Sequence, residues 1–389
     1  MKVAANSKTA KNRAENTHEP FINITRRSSS SIGRSLVVRT IAIVSALIIC
    51  AIFTVVLTGE NPINVFVSMF EANFGNLNLL MVSMQELAIL LLVSLAVTPA
   101  FRMKFWNCGA EGQALFGGLA AAVVMLLFGG KINDILLLAA TFVSSILAGI
   151  IWGVIPSVFK AHWNTNETLF TLMMNYVAIQ LVKFFIKIAA KDGSSVVDPD
   201  MLRFSTESGE LFTSVEKFLI IAGFAVIVTI FSFVYLNYTK HGYEISVVGE
   251  SENTAKYIGI NVKKVIVRTM VISGGICGIV GFLLVTVSSR SINPDIVSGR
   301  GFTAIMVSWL AKFNPVIMII TSFLLVFLKI GAGNVAMNFR LSLSFSDILT
   351  GIILFFIIGC EFFLNYKVHF NFSRLSFRKK TVKKAEAKK

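Results

Sequence analysis

The sequence predicts an all-α polytopic membrane protein, and three observations carry that prediction. Of the 389 residues, 55% are hydrophobic and only 15% are charged, with a mean hydropathy of +0.74. Soluble domains carry about 25% charged residues. The apolar residues are also gathered into runs of about 20, the length that a helix needs to cross a bilayer core. Finally, basic residues flank the first and last of these runs, as cytoplasmic anchors do.

Ten apolar segments follow one another along the chain, so about ten membrane crossings are expected. Phe302–Ala311 is too short to cross alone. It is expected to be half of a broken helix or to borrow length from Ser291–Gly301, which holds Pro294. The first segment has no small-residue cleavage site behind it and is expected to stay as an anchor. The segments are Thr40–Thr58, Leu77–Thr98, Asn107–Phe128, Ile135–Ile155, Thr168–Ile188, Phe218–Tyr238, Val265–Val287, Phe302–Ala311, Val316–Ala332 and Ile348–Leu364.

Basic residues at the two ends predict the orientation. Residues 1–39 hold eight Lys or Arg against two Glu, and residues 367–389 hold nine basic residues. Cytoplasmic segments are rich in Lys and Arg, so both termini are expected in the cytoplasm and the number of crossings should be even. The expected domains are a basic arm (1–39) that is disordered or lies on the surface, a transmembrane domain (40–366) with a cytoplasmic loop at about 239–264, and a basic tail (367–389).

The heptapeptide Asn107–Gln113 is the most informative polar stretch. Only 15 uncharged residues, Ala114–Phe128, follow it, so a full span must include the heptapeptide and place it at membrane depth. Ionisable groups at that depth usually line a path or pocket inside a helix bundle. Asn107, Glu111 and Gln113 are therefore candidate substrate-pathway residues, and Gln85 and Glu86 in the preceding segment could join them.

Two further polar patches interrupt the apolar segments. One holds Asn166, Glu167, Asn175 and Tyr176, and Glu167 and Asn175 are eight residues apart, within about 80° on a helix. Amides, hydroxyls and aromatic rings at membrane depth suit a polar, uncharged solute with a flat or sugar-like body. Alternatively, these groups only bridge helices. The other patch, Ser288–Thr303, contains Arg290, Asn293, Asp295 and Arg300.

Small residues predict close helix packing. Gly149 and Gly153 have GxxxG spacing, and Gly274 and Gly278 repeat that spacing in a later segment. Such residues let two helix backbones approach closely. A glycine-lined wall could also border a pore.

The loop Gly249–Ile260 predicts a short cytoplasmic helix. Ser251 is a suitable N-cap and Gly259 a suitable stop. A helix lying flat beneath a bundle can dock a cytosolic partner, or it can lie at the interface without one.

Several classes of protein lack support in the sequence. The four cysteines fall in apolar segments without a C-x-x-C pair, and the four histidines lie in separate tails and loops, so no metal site or cofactor is expected. The basic excess lies mainly at the ends, so nucleic acid is not an expected partner. No nucleotide-binding or hydrolase motif occurs, so any work against a gradient needs another subunit or an ion.

Five motifs in order resemble one family. The chain resembles the membrane permease subunits of bacterial ATP-binding cassette importers of the ribose and branched-chain amino acid type, and most closely the nucleoside branch that works with Bmp-type lipoproteins. The resemblance covers about Leu77–Leu364. The motifs are Asn107–Gln113, Asn166–Glu167 with Met173–Ala178, Gly249 with Ala255–Ile260, Ser273–Gly278, and Gly301–Ile305 with Asn314–Pro315.

The resemblance implies the function and the partners. It implies nucleoside translocation by a pair of homologous permease subunits in the membrane lipid, with a cytosolic ATP-binding cassette ATPase and an extracytoplasmic substrate-binding lipoprotein. The permease would not itself be an enzyme. Alternatives are a ribose, other sugar or branched-chain amino acid permease of the same family, and an ion-coupled secondary transporter using Glu86 and Glu111. The residues that the resemblance assigns to ATPase coupling are Glu250, Ala255, Tyr257, Gly259 and Ile260.

Overall fold

The computed structural model describes residues 22–26, 32–59, 61–190, 194, 196–197, 202, 204, 211–340 and 343–370. Most of both basic ends and most of the acidic loop between residues 191 and 210 lie outside the described residues. In chain order the elements are β1 (Ile22–Arg26), α1 (Ile32–Thr58), α2 (Pro62–Phe74), α3 (Leu77–Arg102), α4 (Ala110–Phe128), α5 (Asp134–Trp163), α6 (Glu167–Ala189), α7 (Ser214–Tyr238), α8 (Lys240–Glu250), α9 (Glu252–Tyr257), α10 (Val262–Phe282), the π-helical segment Leu283–Ser289, α11 (Arg300–Leu310), α12 (Pro315–Asn338), α13 (Leu343–Asn365) and β2 (Tyr366–Phe370).

The predicted all-α polytopic class is confirmed. Among the described residues, eight helices are long and apolar enough to cross a membrane. Two further apolar stretches are shorter: Ile348–Leu364 within α13, and α11, whose 11 residues span only about 16 Å. The count of ten crossings stays a prediction.

One compact unit comprises the described residues up to Val65 and those from Leu343 to Phe370. In it, α1 packs against α13, and the rings of Phe53 and Phe345 stack at 5.8 Å between centroids. The strands β1 and β2 pair antiparallel, from Ile22 opposite Phe370 to Arg26 opposite Tyr366. The first helix begins at Ile32 rather than at Thr40, because the apolar residues that precede Thr40 continue its helical pattern into the expected arm.

The second unit, residues 66–341, has α10 at its centre, packed against α5 and α4. Two helix backbones meet here: a Cβ added at Gly149 would collide with the carbonyl oxygen of Gly274, and one at Gly278 with that of Ser145. Gly153 lies one turn along, where an added Cβ would stand 3.1 Å from the carbonyl oxygen of Met270. At Gly149 and Gly278 a larger residue would force the two backbones apart, and at Gly153 it would be a tight contact.

Two spans of the second unit are interrupted, and one prediction needs correction. The heptapeptide does not lie wholly in a helix, because α4 begins at Ala110 and Asn107–Gly109 is not helical. The reason is local: Lys104 turns the chain with a φ of 60°, and the side chain of Asn107 accepts the Gly109 N–H at 3.0 Å. The second interruption separates the π-helical segment from α11, which begins after Gly299 at a φ of 71°.

Candidate functional site

The two interrupted spans meet at Glu111, in the first turn of α4. Its carboxylate accepts the backbone N–H of Gly299 at 2.8 Å and that of Gly301 at 2.7 Å. The first N–H groups of any helix lack partners within the helix, and they carry the positive end of its dipole. Glu111 therefore caps α11, a helix 190 residues further along the chain.

A second carboxylate holds the same turn through a side chain. Arg300 donates to both carboxylate oxygens of Glu86, at 2.6 and 2.7 Å, and the pair is partly buried. Lys329 of α12 donates to the carbonyl oxygen of Ser298 at 3.1 Å. We call Glu86, Glu111, Arg300 and Lys329 the charge cluster. Two acids and two bases thus surround one turn of backbone.

Three members of the charge cluster lie in candidate membrane spans, and the fourth, Arg300, begins the short helix α11. Glu86 is the tenth residue of α3, and Lys329 is the only charged residue of α12. Charged groups at such depth are costly in lipid and face protein or water-filled space. Sequence reasoning named Glu86, Glu111 and Arg300 but missed Lys329. A lone lysine within an apolar segment is the signal that could have found it.

Asn107 and Gln113 form a buried amide pair beside the cluster. The side-chain oxygen of Asn107 accepts from Gln113 Nε2 at 3.1 Å, and Asn107 Nδ2 donates to Ser273 Oγ of α10 at 3.0 Å. Both amides are almost fully buried, with 0% and 1% exposure. They fasten the non-helical segment to α10, so they act on the geometry of the interruption.

Asn175 fastens the same segment from α6. Its side-chain oxygen accepts the Gly112 N–H at 2.8 Å, and its Nδ2 donates to the Cys108 carbonyl at 2.8 Å. One amide thus satisfies a free N–H at the start of α4 and a carbonyl of the preceding segment. An added Cβ at Gly112 would stand 2.9 Å from the Asn175 Cα, so glycine permits this contact.

The other residues of the predicted patch around Asn175 do not lie at the charge cluster. Asn166 caps α6 by accepting the Leu169 N–H at 3.1 Å, and Glu167 pairs with Lys160 at 2.9 Å. Asn166 and Asn175 are separated by about 13 Å along α6. Tyr176 is 62% exposed on the surface of α6.

Sequence reasoning also missed the exposed face of α11. Phe302, Met306 and Trp309 recur at i, i+4 and i+7 and are all exposed, so they share one face. The opposite face is buried, and its Ser308 hydroxyl lies 3.0 Å from that of Thr98 in α3. Trp106, which directly precedes Asn107 and is also not helical, packs on Trp309 with ring centroids 5.4 Å apart. An apolar, aromatic surface therefore begins on α11 next to Arg300 of the charge cluster.

The loop at about 239–264 contains the predicted short helix and a second one, α8, which was not predicted. Ser251 Oγ accepts the Thr254 N–H at 3.2 Å, and Gly259 ends the turn with a φ of 83°. Ala255 is fully buried in an apolar core with residues of α3, α7, α8 and α10. Tyr257, in contrast, is 93% exposed, and Ile258 beside it is exposed as well.

The remaining loop residues are divided between this core and the surface. Ile260 is half-buried against the core, whereas Glu250 and Gly259 are exposed. An ion pair fixes α8 on α10, because Arg268 Nη2 lies 2.7 Å from Glu244 Oε2. That hydrogen bond lowers the pKa of Glu244. The loop is therefore well packed and is held against α10, and Tyr257 is exposed on its surface.

Comparison with known proteins identifies a family match over most of the chain. Residues 77–358 match the family described as branched-chain amino acid transport system / permease component. Guanosine ABC transporter permease protein NupP of Bacillus subtilis is 28% identical over 326 residues, which cover 83% of this chain and 92% of NupP. Nucleoside ABC transporter permease protein NupB of Lactococcus lactis is 25% identical, covering 83% and 91%. Glucose ABC transporter permease protein TsgB13 of Haloferax volcanii is 27% identical, covering 73% and 77%.

Proposed function

Because the chain belongs to the family of branched-chain amino acid transport system permease components, we propose that it carries nucleosides across the cytoplasmic membrane as a permease subunit of an ATP-binding cassette importer. The observation that carries a translocation role is the meeting of two interrupted spans at the charge cluster. Interrupted helices with charged groups at membrane depth are typical of transport pathways.

The nucleoside assignment is supported by relatives and by the surface of α11. Two relatives that cover most of this chain are named as guanosine and nucleoside permeases. Phe302 and Trp309 offer flat rings, and a base stacks on an aromatic ring with about 1–3 kcal/mol per base. The hydroxyls of a ribose can meet the polar groups at the start of α11.

The geometry also suits a path that binds its solute weakly. Asn107, Gln113 and Asn175 use their polar atoms on other protein groups, and Glu111 is used by the turn of α11. A solute passing these residues therefore finds few unpaired polar partners. Weak binding lets it leave the middle of the membrane quickly.

A permease component does not hydrolyse ATP itself, so a separate ATPase subunit supplies the energy. We assign docking of that ATPase to the exposed side of α9, at Tyr257 and Ile258. Ala255 and Ile260 support this surface from below, and Gly259 ends the helix that presents it. ATP-driven closure of the ATPase pair then favours one orientation of the bundle, and nucleotide release favours the other.

The other assigned partners are a second homologous permease subunit and an extracytoplasmic substrate-binding lipoprotein. A second subunit would cover part of the exposed apolar surface of the chain. The lipoprotein would deliver the solute to the outer side, close to the chain between the π-helical segment and α11.

Uptake of labelled uridine, adenosine, glucose and leucine by cells with and without the gene tests the assignment. We expect the gene to be needed for uridine and adenosine alone. Trp309→Ala should raise the KM for adenosine, whereas Trp163→Ala, which removes an exposed tryptophan at the end of α5, should leave it unchanged. Loss confined to leucine would refute the nucleoside assignment.

A sugar is the second candidate solute, because the glucose permease TsgB13 is 27% identical over 299 residues. Loss of uptake confined to glucose would favour it. Ion coupling has less support, since Glu86 is paired with Arg300 and Glu111 with two N–H groups. Neither carboxylate is left to carry an ion.

A further inference from the structure

An apolar groove runs between α1 and α13 in the unit formed by the two ends of the chain. It encloses a volume of about 650 Å³. That volume lies within the usual range of sites for small organic ligands. Its lining includes Ile41, Ser45, Phe355, Gly359, Phe363 and Tyr366.

The groove lies on membrane-spanning chain. Thr40–Leu57 of α1 is a candidate span, and Ile348–Leu364 is the apolar stretch of α13. Ile41, Phe355 and Phe363 are all more than half exposed. Their exposure in such helices makes hydrocarbon chains the natural contents of the groove.

One end of the groove is basic. On α1, Arg34 precedes the groove residues Val38, Ile41 and Ser45 at helical spacing, so it lies on the same face. On α13, the groove ends at Tyr366, and Lys367 follows directly in β2. The pairing of β1 with β2 places Lys367 opposite Thr25. Both edges of the groove therefore lead to a cationic residue at the same end.

The amino-acid sequence before and after this unit's two helices is also rich in positive charge. The first helix holds no acidic residue, and 17 of the 36 Lys and Arg lie in residues 1–39 and 367–389. Clusters of basic residues beside a membrane span attract anionic lipid head groups. An apolar groove with a cationic end has the complementary chemistry of a single anionic phospholipid.

We propose that this groove binds one anionic phospholipid, with an acyl chain between α1 and α13 and its phosphate at Arg34 and Lys367. By the charge rule for orientation, the site belongs to the cytoplasmic leaflet. The site does not depend on the identity of the solute. It gives Arg34 and Lys367 a function: they select the lipid that fills the space between the first and last helices.

Gly359 offers a means of closing the groove. A Cβ added there would meet no atom within 4 Å, so Gly359→Leu fills the groove without a backbone clash. Gly351 is its matched control, because it lies on the same helix, has equally open space and does not line the groove.

The test uses the purified importer complex in mild detergent. The complex is mixed with equal amounts of phosphatidylglycerol and phosphatidylcholine that carry identical acyl chains, and bound lipid is counted by native mass spectrometry. We expect several-fold more phosphatidylglycerol than phosphatidylcholine. Gly359→Leu should lose that lipid, while Gly351→Leu should match the wild type. The double variant Arg34→Gln, Lys367→Gln should still bind lipid but lose the preference.

Three results would overturn the proposal. They are equal binding of both lipids to the wild type, equal lipid retention in Gly359→Leu and Gly351→Leu, and an unchanged preference in the double variant. Release of the second permease subunit from Gly359→Leu, with bound lipid unchanged, would assign the groove to a subunit interface instead. The double variant leaves the groove intact, so it keeps the test valid if Gly359→Leu folds poorly.

Discussion

At the scale of single residues, Glu111 links the two interrupted spans through its carboxylate. Its two oxygens accept two backbone N–H groups of another helix, and each is a charge-assisted hydrogen bond. Removing the acceptor leaves two donors of a partly buried turn unpaired, at about 1–3 kcal/mol each. We therefore propose that Glu111 acts through its position rather than through proton transfer.

Substitutions at Glu111 test that account. Gln keeps one oxygen that can accept an N–H, so Glu111→Gln should retain a large part of nucleoside uptake. Glu111→Leu keeps none and should abolish it. Uptake is measured at matched membrane levels, with Glu71→Gln and Glu71→Leu on the exposed side of α2 as controls that should behave like the wild type. Equal, near-complete loss in both Glu111 variants would favour a protonation role.

The partner of Glu111 shows what sequence alone can and cannot predict. An acid between two glycines at the head of a span predicts hydrogen bonds to free helix N–H groups. The sequence offers no way to choose α11 over α4 as the owner of those groups, because that choice depends on how distant segments pack. The same limit explains Asn107 and Asn175, whose residue types predict hydrogen bonds but not their partners.

At the scale of elements, the loop at about 239–264 has both buried and exposed residues. The sequence predicted α9 with its cap and stop, because Ser251 and Gly259 are local signals. It did not separate buried from exposed residues, since a helix of six residues is too short for a clear apolar period. Ala255 lies in the core, and Tyr257 is the outward residue.

This division predicts different losses for two substitutions in α9. Tyr257→Ala should leave the permease folded and inserted but prevent co-purification of the ATPase, because an aromatic anchor at an interface commonly contributes about 2 kcal/mol or more. Ala255→Asp should instead lower the amount of folded permease, because it buries an unpaired carboxylate. Tyr238→Ala, at the exposed end of α7, is the control. Retention of the ATPase by Tyr257→Ala at the level of Tyr238→Ala would remove the docking role.

The contact between α5 and α10 makes a second prediction at this scale. Gly149→Ala places a methyl group against the Gly274 carbonyl and 2.8 Å from the Gly278 Cα, so the helices must separate. Overpacking of this kind costs about 1–3 kcal/mol. We expect a lower Tm for the detergent-solubilised protein. Gly223→Ala in α7 meets no atom within 4 Å and should leave the Tm unchanged or raise it. Equal Tm values for both variants would contradict this packing.

At the scale of the whole molecule, pairing of β1 with β2 bears on the number of crossings. The strand before α1 and the strand after α13 lie side by side, so β1 and β2 should face the same side of the membrane. We therefore expect an even number of crossings between them. Eight long helices and α13 make nine, so we expect α11 together with the chain that precedes it to supply a tenth.

Cysteine labelling in a cysteine-free background tests this topology. Thr25→Cys, Asn253→Cys and His369→Cys should react with a membrane-impermeant thiol reagent only after the cells are permeabilised. Gly130→Cys, in the turn after α4, should react in intact cells. Labelling of Thr25→Cys and His369→Cys from opposite sides would contradict both the pairing of β1 with β2 and an even number of membrane crossings.

Fold class and family were predictable at this scale because they depend on composition and on motifs in order. The helix count was harder, because length and hydropathy do not distinguish α11 from a loop. The interruptions themselves depend on Lys104, Gly299 and the amides around Asn107, whose effects are decided by packing.

The most direct measurement of the central claim is uptake by proteoliposomes that contain the permease pair and its ATPase, supplied with the binding lipoprotein outside. We predict that labelled nucleoside accumulates only when ATP is enclosed with the ATPase, and that an ionophore which dissipates ion gradients leaves accumulation unchanged. Uptake that needs no ATP and disappears with the ionophore, or ATP-dependent uptake of glucose without nucleoside, would contradict the account.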